Sequence, residues 1–228
     1  MTSAAVPVIA IDGPGGSGKG TISTGLAEYL GWNFLDSGSL YRLTALAVMK
    51  NNTPLDDHEA LGNLAAGLDI RFDTGADGAR AILDGEDVDD ELRREKTGEM
   101  ASRIAVIPAV RAALVKRQRQ FRQLPGLVAD GRDMGTVIFP DADLKIFLTA
   151  SAEIRAQRRY KQLKDKGESV NLSRLFREIK ARDLRDQSRS IAPLRPAEDA
   201  VIIDSTELSI KEVLDKVKLM IKESDISI

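Results

Sequence analysis

The chain has 228 residues, 43% of them hydrophobic, which suits one sizeable globular domain or a core with small inserts. Its formal net charge is −2, so nothing global calls for a nucleic acid or an anionic membrane as partner. Cysteine is absent, which excludes disulfides and thiolate metal sites, and no run approaches the ~18 consecutive apolar residues of a membrane span.

The first residues, "MTSAAVPVIAI", lack a basic n-region and a long apolar core, so no signal peptide is read and a cytoplasmic location is expected. "PVIAID" (7–12) reads as a buried strand. It runs into "DGPGGSGKGT" and then a helix over 19–30 whose apolar period is carried by Ile22, Leu26, Tyr29 and Leu30. Strand, glycine-rich loop and helix in that order are the context of a phosphate-binding loop. Gly13, Gly15, Gly16 and Gly18, with Pro14 among them, let backbone N–H groups turn inward around phosphate oxygens. The helix N-terminus adds partial positive charge. Lys19 can reach the outer phosphates, and Ser17, Gly20 and Thr21 complete the nest. Gly13-x-Gly15-x-x-Gly18 also fits the dinucleotide-binding string, with Asp36 at a tolerable distance; Lys19 with Thr21 favours the P-loop. The strict P-loop pattern puts Ser or Thr directly after the lysine, and Gly20 stands there instead.

"WNFLD" (32–36) is the second strand, followed by a helix over 37–51 that carries Ser37, Tyr41 and Arg42. The single histidine, His58, lies in "TPLDDHEAL" and reads as a solvated helix-start residue. Residues 67–90 break the rhythm: "LDIRFD", a "TGADG" turn and "ARAILDGEDV" form a small antiparallel unit, an insert too short to fold alone. A helix over 108–123, opened by Pro108, carries Arg111, which by spacing alone passes for a solvated helix arginine.

"GLVAD" (126–130) and "LKIFLTA" (144–150) are further strands. Arg132 and Asp133 follow the strand that ends at Asp130. The helix over 151–165 clusters Arg155, Arg158 and Arg159, either a solvated face or a basic lid over phosphates. In the helix over 171–189 the stripe Leu172, Leu175, Phe176, Ile179 continues into Asp183 and Asp186, with Arg182 and Arg189 on one shoulder. Its inward face turns from apolar to charged, as in an internal ion-pair network or the wall of a nucleotide cleft. "AVIID" (200–204) and a helix over 208–223 close the chain. Alternating strands and helices give an α/β doubly wound parallel sheet, whose ligand site lies beyond the strands' C-terminal ends. Three of those ends carry an acid: Asp12, Asp36 and Asp130.

"GPGGSGKGT", with glycine after the lysine and then threonine, resembles the P-loop of nucleoside monophosphate kinases. "LDSGSLYR" (35–42), "LVADGRDMGTVIFPDADLKIFLTAS" (127–151), "EIKARDLRDQSRSIAPL" (178–194) and "IIDST" (202–206) narrow the resemblance to the bacterial cytidylate kinases, almost from end to end. The resemblance implies an α/β fold: a five-stranded parallel P-loop kinase sheet with helices on both faces, in a single domain over 1–228. It also implies a monophosphate-binding insert over 67–100 and a mobile lid over 151–170. The implied reaction takes ATP and CMP or dCMP to ADP and CDP or dCDP, in pyrimidine nucleotide metabolism, with Mg²⁺ accompanying ATP. A monomer is expected, with no nucleic-acid or membrane partner.

Phosphoryl transfer needs cations from several directions rather than a covalent nucleophile. Lys19, Arg132, Arg158, Arg182, Arg189 and Asp130 are the candidate catalytic residues. Asp130 can hold Mg²⁺ directly or through water, with Thr21 or Ser17 near the metal shell; otherwise it is a strand-end cap. By resemblance Arg42 and Arg132 meet the CMP phosphate, as a guanidinium fork can. Arg182 and Asp186 meet the sugar hydroxyls, Arg189 meets phosphate, and Ser37 and Tyr41 join the CMP set. Cytosine pairs an N4 donor with N3 and O2 acceptors, so an acid and an arginine together would select it. By resemblance these are Asp133 and Arg111, with Ser102 an added polar contact. Of the lid arginines the resemblance supports Arg158 best. The rivals are another small P-loop kinase and a P-loop switch or nucleic-acid-binding NTPase. The near-neutral charge and the lack of a basic, aromatic-lined stripe disfavour the last.

Overall fold

Val8, Ile9, Ala10 and Ile11 are all fully buried, as a parallel strand covered on both faces requires. They form the centre of the fold in the computed structural model, which describes residues 6–75, 78–165, 167–224 and 226, the side chains of 71–80 excepted. Residues 1–5, the tip of the "TGADG" turn (76–77) and position 166 of the expected lid lie outside the described residues.

In chain order come β1 (Val8–Asp12), α1 (Lys19–Leu30), β2 (Asn33–Asp36), α2 (Ser37–Lys50) and α3 (His58–Gly67). Next are β3 (Ile70–Gly75), β4 (Gly78–Leu83), β5 (Glu86–Asp87), α4 (Asp89–Arg93), α5 (Glu95–Ile104) and α6 (Pro108–Arg119). Then follow β6 (Leu127–Gly131), a single wide helical turn at Met134–Ile138, β7 (Leu144–Thr149), α7 (Ala152–Asp165), α8 (Leu172–Gln187), β8 (Val201–Asp204) and α9 (Ile210–Glu223). The chain divides into two compact units: Met1–Asp36 with Phe121–Ile228, and Ser37–Gln120.

The first unit is built on a five-stranded sheet of order β2-β6-β1-β7-β8, every pair parallel. The expected strands match to within a residue or two. The connection from β1 runs to one side of the sheet and that from β6 to the other, so a crevice opens beyond the C-terminal ends of these two neighbours. Ile22 and Leu26 of α1 and Val213, Val217 and Ile221 of α9 pack with Ile9, Ile11, Val128, Ile146 and Leu148 into one apolar cluster. Asn33 Nδ2 donates to the carbonyl oxygens of Gln123, Leu124 and Gly126, which holds the entry of β6 beside β2.

In the second unit α2 is buried along two sides. Tyr41, Ala45 and Val48 pack with Leu61, Ile104, Val110 and Leu114 of the neighbouring helices. Leu43, Leu46 and Ala47 pack with Leu68, Leu83, Val88 and Leu92. The antiparallel sheet has order β3-β4-β5, one short strand more than the two runs read from the sequence. Helices α4 and α5 are findings that the sequence reading lacked, whereas α3 begins where that reading put a helix start. His58 opens α3, exposed, beside the capping Asp57 whose carboxylate accepts the Ala60 N–H at 2.9 Å. Among the described residues no helix is long and apolar enough to cross a membrane.

Gly126 lies under the Trp32 indole: a Cβ there would come within 2.3 Å of a ring carbon. Gly126→Ala should therefore lower stability by ~1–3 kcal/mol, the range of core overpacking. Urea midpoints at unchanged slope measure it, and an unaltered midpoint would contradict the contact.

Candidate active site

The P-loop leaves β1 at Gly13, whose φ is 148° and where a Cβ would come within 2.0 Å of the Leu148 carbonyl oxygen of β7. No side chain fits. Gly18, at φ 96°, then turns the chain into α1. Lys19 is the first helical residue and is buried. Its ammonium donates back to the Pro14 carbonyl at 3.1 Å and lies 3.7 Å from Asp130 Oδ1 at the end of β6. Position 20 also faces that carboxylate: a Cβ there would sit 3.6 Å from Asp130 Oδ2. Thr21 is exposed on the first turn of α1, outside this bonded cluster.

Several guanidinium groups approach the loop. A Cβ at Gly15 would lie 3.4 Å from an Arg132 Nη and 3.9 Å from an Arg182 Nη. Arg132 Nε donates to Asp186 Oδ2 at 3.2 Å, and Arg189 donates to the other oxygen of the same buried carboxylate. Arg155, buried to 4% exposure, grips Asp183 with both Nη groups. The charged face of α8 is thus an ion-pair network. Arg158 donates to Ser205 Oγ at 3.2 Å, to the Ser205 carbonyl at 2.6 Å and to the Ser17 carbonyl at 3.4 Å. The Ser205 hydroxyl in turn lies 3.0 Å from the carbonyl oxygens of Ser17 and Thr149, to which it donates. That serine braces the P-loop from the exit of β8.

Asp12, at the end of β1, accepts the N–H groups of Met134 and Gly135, each at 2.8 Å. It thereby fixes the turn that directly follows Arg132 and Asp133, and Asp133 itself is buried.

In the second unit Arg111 is buried in α6, and its Nη1 donates to the Tyr41 hydroxyl at 3.3 Å. Arg42 Nη1 donates to the carbonyl oxygens of Leu92 and Arg94, at 2.9 and 3.3 Å. Its guanidinium fills the space over Gly98, where a Cβ would come within 2.7 Å of Nη2. Ser37 is buried at the first position of α2, and Ser102 is half-buried on α5 one turn beyond Gly98.

Buried cations on a P-loop, with further arginines held in register by carboxylates, suit phosphoryl transfer. A sequence profile described as cytidylate kinase matches residues 9–223. The chain belongs to the cytidylate kinase family. It is 57% identical to a cytidylate kinase of Stutzerimonas stutzeri (strain A1501), over 97% of this chain and 98% of that one. Against a cytidylate kinase of Pseudomonas aeruginosa (strain UCBPP-PA14) the identity is 59%, over 93% and 94%. Against one of Aeromonas hydrophila (strain ATCC 7966) it is 58%, over 91% and 90%. As a member of the cytidylate kinase family the chain is a kinase, a phosphotransferase that uses ATP.

Burial dominates the electrostatics of this cytidylate kinase family site. Burial first, and then Arg132, push the Lys19 ammonium down, while Asp130 opposes them. Burial pushes the Asp130 carboxyl up against the pull of Lys19. Burial thus works against charge on both partners, and each opposes that effect on the other. Among the described residues no group of three or more His, Asp or Glu side chains stands ready to hold a metal ion. The Asp130 carboxylate beside the P-loop nonetheless fits magnesium, which keeps waters and substrate phosphates as most of its ligands.

The sequence reading did not assign four of these residues. Asp12 was visible as a strand-ending acid, but its two N–H partners lie far along the chain. Ser205 stood inside "IIDST" without a task. Gly98 lies in a polar stretch that the sequence reading leaves without a helix. Arg155 reads from the sequence as one of the clustered lid arginines, whereas the structure buries it against Asp183 and Gly15.

Burial raises the Asp12 carboxyl from 3.8 to about 7, against the two N–H donors and Lys19 and with help from Asp133. The folded chain thus holds this proton more tightly than the unfolded one. The resulting stabilisation is complete below the unfolded value and is lost as pH rises through about 7. Relative to Asp12→Asn, the wild type should lose on the order of 4 kcal/mol between about pH 4 and pH 7.5. Denaturant midpoints of both chains at each pH measure it; a pH-independent difference would contradict it.

Proposed function

We propose that the chain transfers the γ-phosphoryl group of ATP to CMP or dCMP, releasing ADP and CDP or dCDP. The observation that carries this reading is the pair of guanidinium groups, Arg132 and Arg182, against Gly15 of a loop that already holds Lys19. The loop's N–H groups and Lys19 suffice to hold a triphosphate. Further fixed cations at the same point serve a second phosphate, the acceptor, and the charge that spreads as the phosphoryl group moves. An acceptor phosphate is already anionic, so no strong general base is required.

In this reading the P-loop, Gly13 to Thr21, binds ATP. Lys19, Arg132, Arg158, Arg182 and Arg189 neutralise the phosphoryl oxygens. The acceptor contacts in the first unit are Arg132, Asp133, Arg182, Asp186 and Arg189; those in the second are Ser37, Tyr41, Arg42, Ser102 and Arg111. Asp133 accepts from the cytosine N4 amino group, and Arg111 donates to N3 or O2. Asp130 and Thr21 would hold magnesium, in part through water, and the ion would neutralise phosphate oxygens. Within a single P-loop kinase domain, residues 67–100 act as the monophosphate-binding insert and 151–170 as the lid that excludes water. The chain acts as a monomer.

Initial rates with CMP, dCMP, UMP and AMP at fixed ATP should show CMP or dCMP as the fastest acceptor. Fast turnover of AMP or UMP with idle CMP would reject the assignment, as would ATP hydrolysis without acceptor at the CMP-stimulated rate.

Asp133→Ala should lower the preference for CMP over UMP by about tenfold or more, the worth of ~1–3 kcal/mol in one base contact. Its effect on ATP affinity should be smaller. An unchanged CMP-to-UMP ratio of kcat/KM would mean that Asp133 does not read the base.

A further inference from the structure

Arg155 stands on the first turn of α7, yet only 4% of it is exposed. A buried guanidinium is costly unless carboxylates and carbonyls satisfy it. Here Nε donates to the Ala150 carbonyl at 2.9 Å, just past β7. Nη1 donates to the Gly15 carbonyl of the P-loop at 3.1 Å and to Asp183 Oδ1 at 2.9 Å, while Nη2 donates to Asp183 Oδ2. The stem covers Gly16, where a Cβ would meet Arg155 Cβ at 3.3 Å. One side chain thus joins the end of β7, the P-loop and α8. Four of its five N–H donors are spent on protein acceptors, which leaves no two-point fork with which to grip a phosphate.

Asp183 is one residue from Arg182 and three from Asp186. Asp186 accepts from Arg132 and Arg189. The two carboxylates therefore fix α8 twice, Asp183 against the P-loop and Asp186 against the arginine beyond β6. Each helical residue advances about 1.5 Å and turns about 100°, so a slip of one residue would swing Arg182 away from Gly15. A misplacement of about 1 Å can cost about a hundredfold in rate.

We infer that Arg155 and Asp183 act as one positioning unit that sets the register of α8 against the P-loop, so that Arg182 and Arg189 converge on the transferred phosphoryl group. Neither residue touches substrate. The inference rests on the phosphoryl-transfer reading above and adds two residues to it that act through others.

The test uses the full chain with Asp183→Asn, Arg155→Lys and the double variant. Asparagine turns a donor toward Arg155, and lysine keeps the charge and stem but loses the two-point grip. Steady-state kinetics with ATP and CMP give kcat and KM, and calorimetry gives the Kd of the β,γ-methylene analogue of ATP. Each single variant should lose about 10–100-fold in kcat with the analogue Kd unchanged to within about threefold. The double variant should be no worse than the poorer single, since both break one unit. Losses that multiply in the double, a kcat unchanged in both singles, or a Kd weakened as much as kcat would overturn the inference. If one single fails to fold by near-ultraviolet circular dichroism, the other decides; failure of both would mark the pair as structural and overturn it as well. A wild type idle on every monophosphate would instead reject the kinase substrate assignment.

Discussion

The turn at Gly13 packs against the carbonyl oxygen of Leu148 so closely that no side chain fits between them. This contact fixes where the P-loop leaves the sheet. The loop must present its N–H groups to an anion, so its shape cannot depend on the anion alone. Its carbonyls are tied down instead: Pro14 by Lys19, Gly15 by Arg155, Ser17 by Ser205. Three carbonyl groups of the loop are thus held by side chains of the protein itself.

The same arrangement explains why so much charge survives burial. Lys19, Arg155, Asp130 and Asp186 are buried and would each be expensive alone. They stand instead in chains in which every cation has a carboxylate or carbonyl in reach. The balance is uneven near Lys19, where burial and Arg132 favour the neutral amine. Asp130, 3.7 Å away, is the first charge that opposes them there.

The five strands were legible because each is a short apolar run buried on both faces, and the P-loop because strand, glycines and helix occur together. The charged continuation of the α8 stripe at Asp183 and Asp186 was legible for a similar reason: periodicity says which side faces inward. What stayed hidden depends on contacts distant in sequence. Helices α4 and α5 are short, and Gly98 weakens the pattern of α5. Gly98 has its meaning only beside Arg42. Arg155 reads as one more lid charge because a sequence window counts charges and cannot show which carbonyls lie in reach.

The first unit is interrupted in the chain by the whole of Ser37–Gln120. β1 and its P-loop therefore precede that segment in the chain, whereas both strands that pair with β1, β6 and β7, follow it. The serine that braces the loop comes later still, at position 205. On the ribosome, the second unit has all its residues before the first can close its sheet. The loop after β1 thus takes its neighbouring strands and its bracing serine from residues that all follow Ser37–Gln120.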